Sequence, residues 1–298
     1  IGKGFCGQVT VGRIGLYAIG AVTSAVLSLE PGGFGGALGF GLPVWVSIPI
    51  AVLVTAFAGL IVGLPSVRLE GAYLALATLG LGESVRIFIA VTPALGSSTG
   101  LMMIPAPSIG NFVFDSFTSY YYLVMTAALV GIYFSFAILR SATGRAFQAI
   151  REDTIAASVN GINVAKYKLL AFVISAIYAG LAGALFAHMT PGYLHHNNFT
   201  VIEMVTLLLM VVLGGIGNVW GGVIGAIVVT IAYDQTKDLV IYFMDRPIVI
   251  QPLVFGISMV LLVLFMPRGI GGWFEGVLRN RRFIKRNEEK LGGAARNS

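Results

Sequence analysis

Long apolar runs are the feature of this sequence that most restricts its fold. A transmembrane helix needs about 20 mostly apolar residues, because the hydrocarbon core of a bilayer is about 30 Å thick. Eight segments approach or reach that length: 11–29, 44–63, 71–92, 119–139, 168–189, 199–215, 219–233 and 248–266. We therefore predict an all-α polytopic membrane protein with about eight transmembrane helices.

The content of charged residues and glycine supports lipid as the solvent around most of the exterior. Only 11% of the 298 residues are charged, whereas a soluble globular domain carries roughly 25%. The 39 glycines predict close packing between helices, because small residues let helix backbones approach each other in a membrane. The single cysteine, Cys6, excludes an internal disulfide and a cysteine-rich metal site. We predict no metal site and no cofactor bound by this chain.

The distribution of Lys and Arg predicts the orientation, because cytoplasmic loops carry an excess of both. The loop 140–168 and the tail 268–298 are basic, and the even number of spans between them places both in the cytoplasm. The external segments then have only Lys237 and Arg246 as basic residues: 30–43, 93–118, 190–198 and 234–247. We expect one transmembrane domain, 1–267, followed by a tail that contacts lipid headgroups and not nucleic acid.

The loop 140–168 is the longest cytoplasmic segment, and its pattern predicts folded structure. Apolar residues recur near helical spacing, Asp153 or Thr154 can cap a second helix, and Gly161 can end it. We predict two short helices joined by a turn, with the small residues Ala156 and Ala157 on the exposed side of the second. An interfacial helix and a knob that docks into a partner protein are both compatible with these residues.

Several stretches resemble one family of membrane transporters. Ala156-Ala157-x-x-x-Gly161 matches the second half of the EAA loop of ABC-importer permeases, although Ile155 replaces the first Glu. The runs Gly144-Arg145-Ala146-Phe147 and Val212-Leu213-Gly214-Gly215-Ile216-Gly217-Asn218 are similar to the branched-chain amino acid permease family, particularly its LivM-like subunit. Permeases of urea and amide importers are close relatives.

The resemblance implies a permease subunit of an ABC importer in a bacterial or archaeal plasma membrane. Such a subunit moves branched-chain amino acids, or a related small polar solute, by alternating access. The implied partners are two ABC ATPase subunits that hold ATP and Mg, a homologous second permease subunit and an extracytoplasmic solute-binding protein. The start of the chain, Gly4-Phe5-Cys6-Gly7-Gln8, also resembles a Gly-rich motif of this family. In the family, helices precede that motif, so we expect further spans before Ile1. An inverted repeat is one arrangement that the set of spans allows.

By the same resemblance, the loop 140–168 is the coupling segment that docks on the ATPase. The residues implied in coupling are Gly144, Arg145, Ala146, Arg151, Glu152, Asp153, Ala156, Ala157 and Gly161. No Gly-x-x-x-x-Gly-Lys-Ser/Thr loop occurs in the chain, so it is predicted not to be an enzyme that hydrolyses ATP by that route. The alternatives are an ion- or proton-coupled secondary transporter and an integral membrane enzyme. The scarcity and scatter of charged residues disfavour both.

Candidate solute-contacting residues are polar or ionisable positions in the spans, because such groups usually face a cavity or a partner. They are Tyr73, Thr78, Glu83 and Glu203. The Gly-rich break adds further candidates, because exposed backbone dipoles there could meet a polar solute: Gly214, Gly215, Gly217 and Asn218. Each has an alternative interpretation: Glu83 pairs with Arg86, Glu203 is exposed at the membrane interface, and the glycines serve close packing. His188 is either a pathway residue or a helix-end residue near the outer surface. His195 and His196 favour a surface loop over a metal site.

Overall fold

The structure is a computed structural model of the chain. It describes residues 12–32, 38–67, 69, 71–97, 99–110, 112–189, 191–215, 219–236, 240–243, 246–249 and parts of 253–261. Predictions that concern Cys6, Gly217, Asn218 and the tail 268–298 lie outside these residues. The chain forms two compact units, 1–204 and 205–298.

Helices dominate the described residues. The α-helices are α1 Arg13–Ser28, α2 Val44–Ser66, α3 Gly71–Val91, α4 Phe117–Arg140, α5 Ala142–Glu152, α6 Thr154–Val159, α7 Val164–Ala187, α8 Val201–Gly214 and α9 Val219–Thr236. Short 3-10 turns lie at Pro93–Leu95 and His196–Phe199. Two antiparallel hairpins are present among the described residues. The first pairs β1 Ser108–Ile109 with β2 Phe112–Val113, and the second pairs β3 Val240–Phe243 with β4 Arg246–Val249. Helices α2, α3, α4 and α7 are long and apolar enough to cross a membrane, and α1, α8 and α9 are shorter apolar helices.

The first seven predicted segments are helices, which confirms the all-α polytopic membrane fold. The eighth segment, 248–266, differs at its start. Strand β4 ends at Val249 and pairs with β3 so that Val240 lies opposite Val249. Helical residues follow at 253–254, 256–258 and 260–261. The β-branched and aromatic residues around this turn favour strands, and a short apolar run does not by itself distinguish strand from helix.

Helix α1 is the buried centre of the first unit and packs against α2, α3 and α7. Small residues make this packing close. A Cβ atom added to Gly20 of α1 would lie 2.5 Å from the carbonyl oxygen of Gly180 in α7. A Cβ added to Gly15 would lie 2.8 Å from the Cα of Gly82 in α3. The backbones therefore touch where a larger residue does not fit, and the predicted role of glycine in helix packing is confirmed.

Three segments predicted to lie outside meet at one end of the first unit. Leu101 and Leu194 exchange backbone hydrogen bonds of 2.8 and 2.9 Å, and the amide of Leu38 donates to the carbonyl of Ala94 at 3.0 Å. At the opposite end, the last turns of α2 lie against the first turns of α7. The alternation of loops expected from the charge pattern is therefore present. The side of the membrane that each end faces stays a prediction.

Candidate functional site

Helix α5 folds the first half of the long loop against the membrane helices. Its apolar face is buried, with Phe147 0% and Ile150 2% exposed. The ring of Phe147 meets the ring of Tyr167 in α7 edge-on, with 6.1 Å between centroids. The side chain of Ser141 caps the helix by accepting a hydrogen bond from the amide of Gly144. The loop is thus held on the first unit by its own apolar contacts.

Helix α6 begins and ends as the sequence predicts. The Oδ1 atom of Asp153 accepts hydrogen bonds from the amides of Ile155 and Ala156, at 2.7 and 3.0 Å. These bonds satisfy two of the amides that a helix start leaves unpaired. Gly161 follows the helix with φ of +81°, a left-handed conformation that favours glycine. The predicted pair of short helices with a turn at Asp153 is confirmed.

The exposed surface of α6 differs from the predicted one. Ala157 is only 4% exposed, whereas Ile155 and Val159 are 74% and 82% exposed. These two residues are four apart and share one face of the helix. Small residues on the exposed side are therefore found at Ala156 but not at Ala157, which is buried, and the larger side chains of Ile155 and Val159 share the exposed surface.

The other predicted coupling residues divide by burial. Gly144 and Ala146 are buried within α5 and support its packing. The remaining ones are exposed on the loop: Arg145, Arg151, Glu152, Asp153, Ala156 and Gly161. The structure places them on one continuous segment, 145–161. Their role in coupling stays a prediction.

Glu83 and Arg86 form the ion pair that the sequence predicts. The Nε atom of Arg86 donates to Oε1 of Glu83 at 2.9 Å, and Nη2 of Arg86 donates to the same oxygen. The side chains of Arg86 and Glu83 are 24% and 31% exposed. The pair therefore lies in a long apolar helix but remains accessible from outside the packed unit.

Tyr73 and Thr78 lie on different faces of α3. Tyr73 is 75% exposed near the start of the helix. Thr78 is 3% exposed, and its hydroxyl donates to the carbonyl of Leu74 at 2.9 Å. The backbone of Thr78 also lies directly against Gly12 at the start of α1. The structure therefore does not bring these two candidates together, and the contacts of Thr78 are those of a packing residue.

The end of α3 adjoins the His196–Phe199 turn and the beginning of α8. Glu203 lies half-buried in the first turn of α8, where a carboxylate is favoured by the helix dipole. Burial lowers the pKa of His196, and charges on His195 and Arg86 lower it further, against a backbone hydrogen bond with Ser97 that raises it. His196 thus lies within electrostatic reach of the ion pair.

Glycines pack α8 against α9 in the second unit. Gly214 lies directly against the backbone of Gly221, and a Cβ added to Gly225 would lie 2.7 Å from the amide nitrogen of Gly214. Gly215 has φ of +97° and closes a turn after the helix. For Gly214 the geometry favours the packing alternative over direct contact with a solute.

His188 is the centre of a buried polar network that the sequence does not reveal. Its Nε2 lies 2.8 Å from the hydroxyl of Ser24, and its Nδ1 lies 2.8 Å from the carbonyl oxygen of Pro105. Because a carbonyl only accepts, Nδ1 carries the proton and Nε2 accepts from Ser24. Ser24 is also 3.3 Å from Ser47. His188 caps the end of α7 as expected, but it is 1% exposed and so does not lie at the surface.

An apolar cavity of about 500 Å³ separates α4 from α7. Two hydrogen bonds between its lining residues link α4 to α7. The hydroxyl of Tyr120 donates to the carbonyl of Leu185, and that of Tyr178 donates to the carbonyl of Gly131 at 3.0 Å. Among the described residues, no charged side chain lines the cavity. It therefore offers nothing to balance the charges of a polar solute.

Comparison with known proteins gives the class to which these features belong. Residues 3–264 match the family described as branched-chain amino acid transport system / permease component, and the chain belongs to this family. The high-affinity branched-chain amino acid transport system permease protein LivM of Salmonella typhimurium is 34% identical over 90% of this chain and 64% of its own length. LivM of Escherichia coli is 35% identical with the same coverage.

A more distant relative is also similar over most of the chain. The probable branched-chain amino acid transport permease protein LivM of Methanocaldococcus jannaschii is 27% identical over 74% of this chain and 67% of its own length. The chain spans 64% of the length of the two bacterial relatives. No solved structure matches the chain.

Proposed function

We propose that this chain is a membrane-spanning permease subunit of an ABC importer that moves branched-chain amino acids or a related small solute across a plasma membrane. Its family membership supports the class of transporter. Two ATPase subunits, a second permease subunit and an extracytoplasmic binding protein complete the importer. ATP and Mg bind to the ATPase subunits, and the chain itself alternates between outward-open and inward-open states.

The observation that carries this proposal is the folded segment α5–α6 between two long apolar helices. Helix α5 packs on α7 through Phe147, so a displacement of α6 by the ATPase is transmitted through α5 to a membrane-spanning helix. Helix α6 presents Ile155 and Val159 outward, where a partner's cleft can bury them. With the loop 140–168 in the cytoplasm, the ATPase reaches this segment without entering the membrane.

Transport by the assembled importer tests the proposal. The chain is expressed with its partners and reconstituted in vesicles, and leucine uptake and ATP hydrolysis are measured together. We expect uptake to require ATP and the binding protein. Uptake that follows an ion gradient and continues without ATP would instead establish the secondary transporter.

A substitution at Gly161 tests the coupling role of the loop. Gly161→Val forces a β-branched residue into a left-handed conformation and shifts the end of α6. Gly161→Asn is the matched control, because Asn tolerates this conformation better. We expect the Val variant to insert and hydrolyse ATP while uptake falls, and the Asn variant to retain most uptake. Equal uptake by both variants would refute the coupling role.

A further inference from the structure

The charged pair in α3 is isolated among the long apolar helices. Helices α2, α3, α4 and α7 are fully described, and the other charged residues in them lie near helix ends: Arg140, Lys166 and Lys168. Glu83 and Arg86 instead lie within α3, with Arg86 about 8 Å along the axis from the last residue, Val91, at about 1.5 Å rise per residue. Ionisable residues in such positions are costly and mark functional sites.

The pair leaves hydrogen-bonding capacity unused among the described residues. Both hydrogen bonds from Arg86 end on Oε1 of Glu83. Atom Oε2 of Glu83 can therefore accept a bond from a cation, and Nη1 of Arg86 can donate to an anion. With 24% and 31% of the two side chains exposed, a small molecule can reach both.

A third polar group, the ring of His196, lies in the turn next to α3. Atom Nδ1 of His196 is buried without a hydrogen-bond partner in the described part of the chain. A buried polar nitrogen without a partner destabilises the protein unless something binds to it. His196 belongs to the turn that adjoins α3, and the charge of Arg86 acts on its ring. Two groups with unused capacity therefore lie in α3, and a third lies in the turn that packs against this helix.

We propose that Glu83, Arg86 and His196 form a subsite for the ammonium and carboxylate groups of a zwitterionic amino acid. The ammonium binds Oε2 of Glu83 and is also offered the unpartnered Nδ1 of His196, which accepts, and the carboxylate binds Nη1 of Arg86. An amino acid that leaves water needs a partner for each of its two charges, because an unpaired charge in a low-dielectric site is strongly unfavourable. This proposal rests on the proposed function, and it identifies the ammonium and carboxylate groups as the part of the substrate that the permease recognises.

Direct binding to the assembled importer in lipid nanodiscs, without the binding protein, tests the subsite. The probes are leucine, leucinamide, which lacks the carboxylate, and 4-methylpentanoate, which lacks the ammonium. We expect each analogue to bind at least about 10-fold more weakly than leucine, because a charge-assisted hydrogen bond contributes about 1.5 kcal/mol or more. An analogue that binds as tightly as leucine, or no binding of leucine at all, overturns the proposal.

Variants separate recognition from packing. Glu83→Gln and Arg86→Gln should each weaken leucine binding at least about 10-fold. The double exchange E83R/R86E restores an ion pair but reverses its direction, so it should assemble with a normal melting temperature and still bind poorly. His196→Ala leaves the ion pair intact and should weaken binding as well. Ser84→Ala, at an exposed position on the same helix, is the matched control and should bind as the wild type does.

The outcomes distinguish this subsite from the proposed function. If E83R/R86E binds leucine like the wild type, or if the single variants bind normally, the pair serves packing and the subsite is wrong. ATP-dependent uptake by those same variants would leave the proposed function standing. If the wild type binds leucine through these residues while uptake needs no ATP, the subsite stands and the proposed function fails.

Discussion

The apolar side chains of Ile155 and Val159 determine how strongly the proposed coupling segment can bind a partner. Both project from α6 into what the proposed orientation makes the cytoplasm, with 74% and 82% of their surface exposed. Full burial of such a side chain contributes about 1.5–3 kcal/mol. Since about three-quarters of each surface remains to be buried, the two together can contribute about 2–4 kcal/mol to association.

Replacing both residues by Ser removes this contribution and leaves the fold of the chain intact. We expect I155S/V159S to weaken association with the ATPase subunits about 30- to 1,000-fold. The free energy of unfolding should change by less than about 0.5 kcal/mol per site, because neither side chain packs within the chain. Association is measured as the Kd for binding of purified ATPase to the permease in nanodiscs, and stability as the melting temperature.

Two comparisons make the result decisive. Thr126→Ala alters an exposed side chain of α4, outside the loop, and should leave the Kd unchanged. Single Ser variants at Ile155 and Val159 should each show an intermediate loss. An unchanged Kd in the double variant, with a normal melting temperature, would refute the inference that these side chains are buried in the complex. A large fall in melting temperature would show that they stabilise the chain itself.

Three further variants test local and tertiary contacts. Asp153→Ala should destabilise α6 by about 1 kcal/mol, seen as faster amide hydrogen exchange in this helix, whereas Asp153→Asn should retain protection. Gly20→Ala should lower the melting temperature, because the added methyl group meets Gly180, and it should reduce the free energy of unfolding by about 1–3 kcal/mol. Gly80 faces open space, so Gly80→Ala should leave the melting temperature unchanged. Equal effects of the two substitutions would contradict the packing. His188→Leu breaks two buried hydrogen bonds and should cost about 1–3 kcal/mol in unfolding experiments; an unchanged melting temperature would contradict that network.

Local signals account for the parts of the structure that were predicted correctly. The cap at Asp153 and the stop at Gly161 depend on hydrogen bonds and backbone angles within a few residues, which the sequence shows directly. The ion pair of Glu83 and Arg86 is equally local, because residues three apart face each other on a helix. The seven confirmed helices follow from apolar length alone.

Contacts between distant segments account for what the sequence did not predict. Ser24 and His188 are 164 residues apart, and nothing in either neighbourhood indicates that they meet. The orientation of α6 depends on how α5 packs on α7, so the burial of Ala157 could not be read from the loop. The start of the eighth segment was misplaced because apolarity does not distinguish strand β4 from helix.

The sequence by itself determined the membrane class, the helical segments, the capped pair of helices and the family, because these depend on hydropathy, local backbone chemistry and motifs. Only the tertiary structure decided which polar groups share an environment. It places the helix that carries Glu83 and Arg86 next to the turn that carries His196, and it buries His188 between helices. Helix packing determines both, because side chains far apart in sequence meet only after the backbones approach at glycines such as Gly20 and Gly180.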